Sequence, residues 1–357
     1  MSDNFPRKVL LVGNCDRPPV MSAIARALDR LGVAHRHLYS QLCNTYFDRF
    51  IIHPVNHYAR VLRLKPKHLD LFEGHPKSHR EHRNRELLRL VADYRPDLVW
   101  LIRGLKFKPE TLEIISRQTR LFCWYTESET RLGEIEAELP YYHHLYFISS
   151  RGVEWANELG YRSAGLLQHA VDTAQFHPMD LPKRYDWCFV GQWHARRQHY
   201  VEGLAEVSRN FVIYGPRWLK RLWRRPALWL KVRGTGIWGE ALNRLYNQTK
   251  VVINVSVWAQ EKETGAGVNL RLLEVPACGA CLLTDLTRDA ARLLTPEVHF
   301  VGASSLPEMQ ARLAELLKDE QKRESIARQG YEAAFRVRTY DTLVAQVLED
   351  CRRLRTA

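Results

Sequence analysis

Residues 264–285 constrain the fold more than any other part of this 357-residue sequence. The stretch begins with the glycine loop Gly265-Ala266-Gly267. Gly279 is placed to end the short helix that is predicted to follow, because glycine adopts the left-handed conformation without strain. An apolar run at 280–284 predicts a buried strand, and another at 251–257 precedes the loop. The order strand, glycine loop, helix, strand predicts a βαβ unit, whose loop is a natural place for phosphate groups.

The same alternation of strands and helices extends along the whole chain. Apolar runs at 7–12, 98–102 and 121–125 alternate with helical patterns, and the alternation begins again at 187–190 after a turn-rich crossing at 168–182. We therefore expect an α/β protein with two doubly wound domains. The predicted parts are an N-terminal domain at 1–168, a C-terminal domain at 169–338, and a last helix at 339–357 that packs back on the N-terminal domain.

Composition and charge narrow the class of protein. Hydrophobic residues make up 45% and charged residues 26%, as in soluble globular proteins, and no apolar run has the length of a membrane span. The first apolar run is too short for a signal peptide, so we expect a cytoplasmic protein. The net charge of +13 predicts an anionic partner, whether a nucleotide, a nucleic acid, a phospholipid surface or a polyanionic acceptor.

Neither the cysteines nor the histidines form a pattern typical of a metal site. The seven cysteines are scattered, and Cys278-Gly-Ala-Cys281 has no second pair, so buried thiols are favoured over redox or metal chemistry. His75, His79 and His82 have helical spacing, and a solvated basic helix face is favoured over a metal site. We expect no metal and no cofactor.

Residues 264–285 also resemble a known family. Asn269-x-Arg271-x-x-Glu274, followed by Ala-Cys-Gly279 and Thr-Asp285, resembles the N-x-R-x-x-E…A-C-G…T-D signature of the CgeB-like glycosyltransferases, which belong to the group 1 clan of GT-B enzymes. The resemblance to the clan extends across about residues 165–340. The further segments that carry it are His169–Asp172, Phe176–Pro178, Asp186–Gly191 with Arg196 and Arg197, and Val251–Asn254.

This resemblance implies a fold and an activity. The fold would be GT-B, with two Rossmann-like domains facing an interdomain cleft. The activity would be transfer of a hexose-type sugar, with retention of configuration, from a UDP-, dTDP- or GDP-linked donor. The acceptor would be a hydroxyl group of a glycan, a lipid-linked molecule or a protein. One feature departs from the clan: many members have a glutamate eight residues before Glu274 that holds the donor sugar, and this position is Ala266.

The resemblance also assigns the donor side of the site. Glu274 would accept hydrogen bonds from the ribose hydroxyls, and the alternative is a surface ion pair with Arg271. Arg196 would stabilise the departing phosphate, and the alternative for each arginine is an ordinary surface charge. Trp238 would stack on the base, with ordinary packing as the alternative. The residues assigned to the nucleotide sugar are Gly191, Arg196, Arg197, Trp238, Gly265, Gly267, Val268, Asn269, Arg271 and Glu274.

The acceptor side has fewer candidates. Gly13 and Asn14 follow the first predicted strand, while Glu127 and Glu129 follow the strand at 121–125. Carboxyl ends of strands are where doubly wound folds bind ligands. Glu127 is the candidate catalytic base, although a retaining enzyme can let the departing phosphate take the proton. The alternative for Glu127 is a solvated loop carboxylate.

Residues 217–233 form an unusual basic segment. It interleaves seven cations with Trp218, Trp223 and Trp229, and it contains no acid. This composition suits an anionic membrane interface, and the protein would then be peripheral on the inner membrane face. Pro226 divides the segment, and the alternative is a surface helix that covers its own core.

Two other functions compete with glycosyl transfer. A non-catalytic basic protein that binds nucleic acid or an anionic membrane would also account for the charge, but the sequence has no nucleic-acid fingerprint, so a nucleic acid is not expected. A nucleotide-sugar epimerase is the further alternative. The sequence names neither the sugar nor the acceptor.

Overall fold

The computed structural model describes residues 6–13, 20–39, 45–65, 71–72, 74–102, 107–256 and 266–356, with side chains to residue 354. The chain divides into two compact units. The first comprises Met1–Phe147, Trp155–Leu166 and Val344–Ala357, and the second comprises Ile148–Glu154 and Leu167–Leu343. Each unit contains one six-stranded sheet flanked by helices, and the strands of both sheets pair in parallel. The predicted α/β class with two doubly wound sheets is confirmed.

The first unit is built around a sheet with the strand order β2-β1-β3-β4-β5-β6. Its elements are β1 (Lys8–Gly13), α1 (Val20–Arg30), β2 (Ala34–Tyr39), α2 (His53–Val61), α3 (His79–Tyr94), β3 (Leu98–Ile102), α4 (Pro109–Gln118), β4 (Arg120–Tyr125), β5 (His144–Phe147), the second half of α5 (Ser150–Glu158) and β6 (Ala164–Leu166). A π-helical turn, Asp48–Ile52, precedes α2, and the 3₁₀ turns Glu129–Glu134 and Glu136–Tyr141 follow β4.

Continuous apolar runs form the centre of this sheet. Every residue of β3 is buried, as expected for a parallel strand that is covered on both faces. The order of the strands reverses between β1 and β3, so the ligand-binding switch point of a doubly wound sheet lies where β1 ends at Gly13.

The second unit repeats the architecture with the strand order β12-β11-β10-β7-β8-β9. Its elements are β7 (Tyr185–Val190), α6 (Ala195–Val207), β8 (Phe211–Tyr214), α7 (Trp218–Arg221), α8 (Pro226–Trp229), β9 (Val232–Gly234), α9 (Gly239–Asn247), β10 (Thr249–Asn254), α10 (Arg271–Ala277), β11 (Cys281–Asp285), α11 (Arg288–Leu293), β12 (Val301–Ala303), α12 (Leu306–Lys318) and α13 (Glu320–Val337). Here the strand order reverses between β7 and β10, so the loops that follow these two strands form the switch point. The last helix, α14 (Tyr340–Thr356), begins in this unit and continues into the first.

The last helix returns to the first unit, as predicted. From Val344 onward, α14 belongs to that unit. The Tyr146 hydroxyl on β5 donates to an Asp350 carboxylate oxygen at 2.7 Å, and an Arg120 guanidinium nitrogen donates to the Leu354 carbonyl at 2.6 Å. Leu348 and Cys351 are buried on the same helix. These polar and apolar contacts hold α14 on the first sheet.

The basic segment at 217–233 is not one amphipathic helix. It forms the single-turn helices α7 and α8 and the edge strand β9, and Pro226 is the first residue of α8. Trp218 and Leu222 are buried in the core of the second unit, while Trp223 and Leu230 are exposed. The segment therefore both covers its own core and presents an exposed basic surface. Contact with a membrane through this segment stays a prediction.

No helix in the described part of the chain combines the length and the apolar character needed to cross a membrane.

Candidate functional site

Polar side chains lie where β10 and β11 end in the second sheet. An Asn254 amide nitrogen donates to the Thr284 hydroxyl, and an Asn269 amide nitrogen donates to the Asn254 amide oxygen, both at 2.8 Å. The Asn269 oxygen in turn accepts from the backbone N–H of Arg271 at 3.1 Å. Asn269 therefore fastens the start of α10 to the carboxyl edge of the sheet. This bonding directs Arg271 and Glu274 to that edge.

A buried ion pair connects this edge to the loop after β7. Arg196, near the start of α6, donates to Asp285 at the end of β11 at 2.8 Å. Asp285 also accepts from the backbone N–H of Ser256 at 3.0 Å and from its hydroxyl at 2.6 Å. Arg196 donates in addition to the Ser256 carbonyl at 2.8 Å. The predicted phosphate ligand Arg196 is thus positioned by the Asp285 carboxylate.

Arg197 is a cation held by backbone oxygens. Its Nε donates to the Val255 carbonyl at 2.8 Å and its Nη1 to the Gln192 carbonyl at 2.9 Å. Within the described residues it forms no ion pair. Burial, followed by the nearby positive charge of Arg271, lowers the pKa of the Arg197 guanidinium to about 9. Because no carboxylate among the described residues pairs with Arg197, its positive charge makes this edge of the sheet attractive to an anion.

Glu274 is the buried carboxylate of the site. It is 9% exposed, and no hydrogen bond from the described residues shifts its pKa. Burial raises its pKa to about 7, with a smaller contribution from the carboxylate of Asp172, while Arg271 opposes the shift. The buried Tyr246 hydroxyl and the Arg271 Nε also lack hydrogen-bond partners among these residues. A carboxylate without donors is costly in such surroundings, so the arrangement favours a ligand that brings hydroxyl donors.

The glycine loop is described only from Ala266 onward, and Gly265 lies outside the described residues. Ala266, Gly267 and Val268 are buried. The Ala266 carbonyl accepts from the backbone N–H of Asp289 on α11 at 3.2 Å. The end of the loop at Ala266 is therefore held against α11, three residues before Asn269 in the sequence.

Close backbone contacts mark the ends of β7 and β8. The Gly191 carbonyl accepts from the Trp218 indole at 2.7 Å. A Cβ atom at Gly215, where φ is +153°, would lie 1.9 Å from that same carbonyl oxygen, so only glycine fits. Farther along the chain, the Trp238 indole lies directly over Gly236, where a Cβ atom would come within 1.8 Å of the ring. Trp238 is 41% exposed, which leaves part of its face accessible.

The acceptor-side candidates lie at two strand ends of the first sheet. Gly13 ends β1 at the switch point, and a Cβ atom there would meet the Met21 sulfur at 2.5 Å. Asn14 lies outside the described residues. Glu127 accepts from Arg131 at 3.0 Å, while Glu129 begins the 3₁₀ turn that follows β4. The structure therefore places Glu127 in an ion pair, and its catalytic role stays a prediction.

Sequence reasoning missed several groups of this site. Asp285 and Asp172 were part of the motifs, but neither was assigned a role. The signal for Asp285 was its position directly after a buried strand. No local signal identifies Ser256 or the Tyr246 hydroxyl, because each acquires its place through residues distant in sequence.

No cluster of His, Cys, Asp and Glu suited to a metal ion is present within the described residues. Cys278 and Cys281 are free, buried thiols. Cys278 donates to the Asn243 amide oxygen at 2.9 Å, which is a packing role. His75 stacks on Phe47 with ring centroids 4.7 Å apart, while His79 and His82 lie on α3.

Comparison with known proteins agrees with this architecture. Residues 196–349 match the model of the family described as "Glycosyl transferase-like". This matched region includes both arginines after β7, the loop after β10, and Glu274. A search of curated proteins found no match.

Solved structures share the fold over the full chain. HepE from Anabaena, crystallised with UDP and glucose, has 12% identity and a TM-score of 0.66, covering 96% of this chain and 99% of that chain. Sucrose-phosphate synthase from Thermosynechococcus elongatus has 12% identity and a TM-score of 0.68, covering 98% and 99%. A glycosyltransferase from Rickettsia africae has 10% identity and a TM-score of 0.60, covering 97% and 98%. The fold is that of the GT-B glycosyltransferase structures, with two Rossmann-like domains.

Proposed function

We propose that this protein is a glycosyltransferase that moves a hexose-type sugar from a nucleoside diphosphate sugar to a hydroxyl acceptor. The observation that carries the proposal is the Glu274 carboxylate, which is buried and lacks hydrogen-bond donors among the described residues. Two adjacent ribose hydroxyls would supply donors to its two oxygens. The match of residues 196–349 to a glycosyl transferase-like family supports the same function. So do the similar structures, since one of them holds UDP-glucose.

The arginines would bind the diphosphate. Arg197 and Arg271 lie at the same sheet edge as Glu274, and Arg196 is fixed beside them by Asp285. As the glycosidic bond breaks, negative charge develops on the departing phosphate. Preoriented guanidinium groups stabilise this charge more strongly in the transition state than in the ground state. Arginines can meet this need in place of a metal ion, so we propose that the reaction requires none.

The chemistry at the acceptor is the less constrained half of the proposal. We propose retention of configuration, with the departing phosphate oxygen taking the acceptor proton. Gly13, Asn14, Glu127 and Glu129 would position the acceptor, and the Glu127–Arg131 ion pair would keep that carboxylate oriented. Ala266 in place of a glutamate implies that other groups hold the sugar hydroxyls. The acceptor would be a glycan, a lipid-linked molecule or a protein.

A ligand screen tests the function directly. We expect a UDP-, dTDP- or GDP-linked sugar to raise the melting temperature of the full chain, because a ligand that binds only the folded state stabilises it. The ligand that stabilises the protein is then incubated with it, and hydrolysis of the donor, in which water takes the place of the acceptor hydroxyl, is followed by NMR. The NMR signal of the anomeric proton distinguishes retention from inversion. Conversion of the donor sugar without hydrolysis or transfer would instead identify an epimerase.

Ligand affinity is expected to depend on pH through Glu274. Because its pKa is raised to about 7, the group is largely protonated below that pH and must lose its proton to accept two hydroxyls. Affinity for the nucleotide sugar should fall about tenfold per pH unit below the pKa and level off above it. Calorimetry between pH 5.5 and 8.5 measures this, using the diphosphate sugar because its phosphates do not titrate in that range. Glu274→Gln is the control and should give a flat profile. A profile shared by both proteins would contradict the assignment.

A further inference from the structure

A helical segment of the first unit presents a large exposed apolar face. Residues 46–61 form one continuous helix that contains the π-helical turn Asp48–Ile52. A short turn follows to residue 65. Six large apolar side chains in this segment are between 62% and 83% exposed, and they are Tyr46, Phe50, Tyr58, Val61, Leu62 and Leu64. Large apolar side chains grouped on one surface mark an interaction site, whereas single exposed ones do not.

The spacing separates three faces of this helix. Tyr46, Phe50, Tyr58 and Leu62 are multiples of four residues apart, so they form one apolar line along the helix. The rings of Tyr46 and Phe50 stack with centroids 6.3 Å apart. Arg49, His53, His57 and Arg60 are spaced by four, four and three residues and form an exposed basic line.

The third face fastens the helix to its unit. Ile52, Asn56 and Ala59 are buried. The Asn56 amide donates to the Leu71 carbonyl at 3.0 Å and accepts from the Leu71 N–H at 2.7 Å. Because this buried face already attaches the helix to the first unit, the helix does not need the apolar line for packing on the core.

The segment carries an excess of positive charge. Between residues 45 and 65 the only acid is Asp48, and its carboxylate accepts the backbone N–H of His79. Arg49, Arg60 and Arg63 are exposed. An apolar line with aromatic rings, bordered by the cations of the same segment, complements a layer of anionic head groups over hydrocarbon.

We infer that the segment 46–64 docks on the surface of an anionic lipid bilayer, with the helix lying flat in the interface. The apolar line would enter the boundary of the acyl chains, and Arg49, Arg60 and Arg63 would contact the lipid phosphates. Tyr46 and Tyr58 suit this depth, because a tyrosine ring has an apolar body and a polar tip. The inference does not depend on the proposed glycosyl transfer, since it rests on a different surface and on different residues.

Vesicle co-sedimentation of the full chain tests the inference. We expect binding to vesicles of equal parts phosphatidylglycerol and phosphatidylcholine, and weak binding to phosphatidylcholine alone. Phe50→Ser/Tyr58→Ser/Leu62→Ser should reduce the affinity about tenfold or more, because it removes the apolar contacts. Arg49→Gln/Arg60→Gln should also reduce it and should make binding less sensitive to salt. The matched control is Ile114→Ser/Leu159→Ser, which alters exposed apolar residues elsewhere in the first unit and should bind as the unchanged protein does.

Three results would overturn the inference. The first is that the unchanged protein does not bind the anionic vesicles. The second is that Trp223→Ser/Leu230→Ser abolishes binding while the triple variant at 50, 58 and 62 retains it, which would assign the membrane contact to the basic segment 217–233. The third is that light scattering shows a dimer which the triple variant dissociates, with no vesicle binding, so that a second copy covers the face. Unchanged melting temperatures show that the variants are folded.

Discussion

Glu274→Ala is expected to weaken binding of the nucleotide sugar at least about a hundredfold without destabilising the free protein. Each hydrogen bond from a ribose hydroxyl to a carboxylate is worth about 1.5–3 kcal/mol, and about 1.4 kcal/mol corresponds to a factor of ten. Two such bonds therefore account for a loss of that size. The free protein gains by the change, because a buried carboxylate without donors is removed from surroundings that raise its pKa to about 7.

A loss of affinity without a loss of stability distinguishes a ribose ligand from a partner in a structural ion pair. Isothermal calorimetry measures the affinity, and thermal unfolding of the ligand-free protein measures the stability. Glu274→Gln keeps the shape and one acceptor oxygen, so its affinity should lie between those of the unchanged protein and Glu274→Ala. If Glu274 instead serves an ion pair with Arg271, Glu274→Ala will lower the melting temperature and leave the affinity unchanged. That pattern would refute the ribose assignment.

Asp285→Ala is expected to destabilise the second unit by about 3–5 kcal/mol, because removing one partner of a buried ion pair leaves the other charge unpaired. Arg196 would lose its carboxylate, and the Ser256 N–H and hydroxyl would lose their acceptor. The loop after β10 would then separate from the loop after β7. Guanidinium denaturation measures the free energy of unfolding.

Two controls separate this effect from a general loss of charge. Glu240→Ala removes the exposed partner of Arg244 on α9 and should change stability by no more than about 0.5 kcal/mol. Arg196→Met in the Asp285→Ala background should recover part of the stability, since the unpaired buried cation is gone. If the two side chains are not coupled, the changes in the free energy of unfolding of the two single variants will add in the double variant. The double variant would then be less stable than Asp285→Ala.

The fold was largely predictable because burial in parallel sheets leaves a local signal. The run Leu98–Ile102 predicted β3 with its observed bounds, since a strand covered on both faces is apolar throughout. Edges of sheets were less predictable. The edge strand Val301–Ala303 has only three residues, and the edge strand Val232–Gly234 lies within the basic segment. Short edge strands carry too few apolar residues to stand out from loops.

The alternation of strands and helices could be read from local sequence alone. The resemblance to the glycosyltransferase signature selected Arg196, Arg197, Asn269, Arg271 and Glu274, and the alternation of elements placed the loops that carry them at one edge of the sheet. Local periodicity and strand order are enough for this, because the carboxyl ends of parallel strands meet at one edge.

The surroundings of these groups depend on how distant segments pack together. The Arg196–Asp285 bond joins residues that are 89 positions apart, and the side chain of Glu274 is buried without a donor from the described residues. The exposed line of Tyr46, Phe50, Tyr58 and Leu62 is likewise invisible in the sequence, where the same residues could form an ordinary core face. The physical reason is common to all three cases. The burial of a side chain depends on which distant segments pack around it. Burial in turn sets the pKa of the group and the free-energy cost of leaving it without a partner.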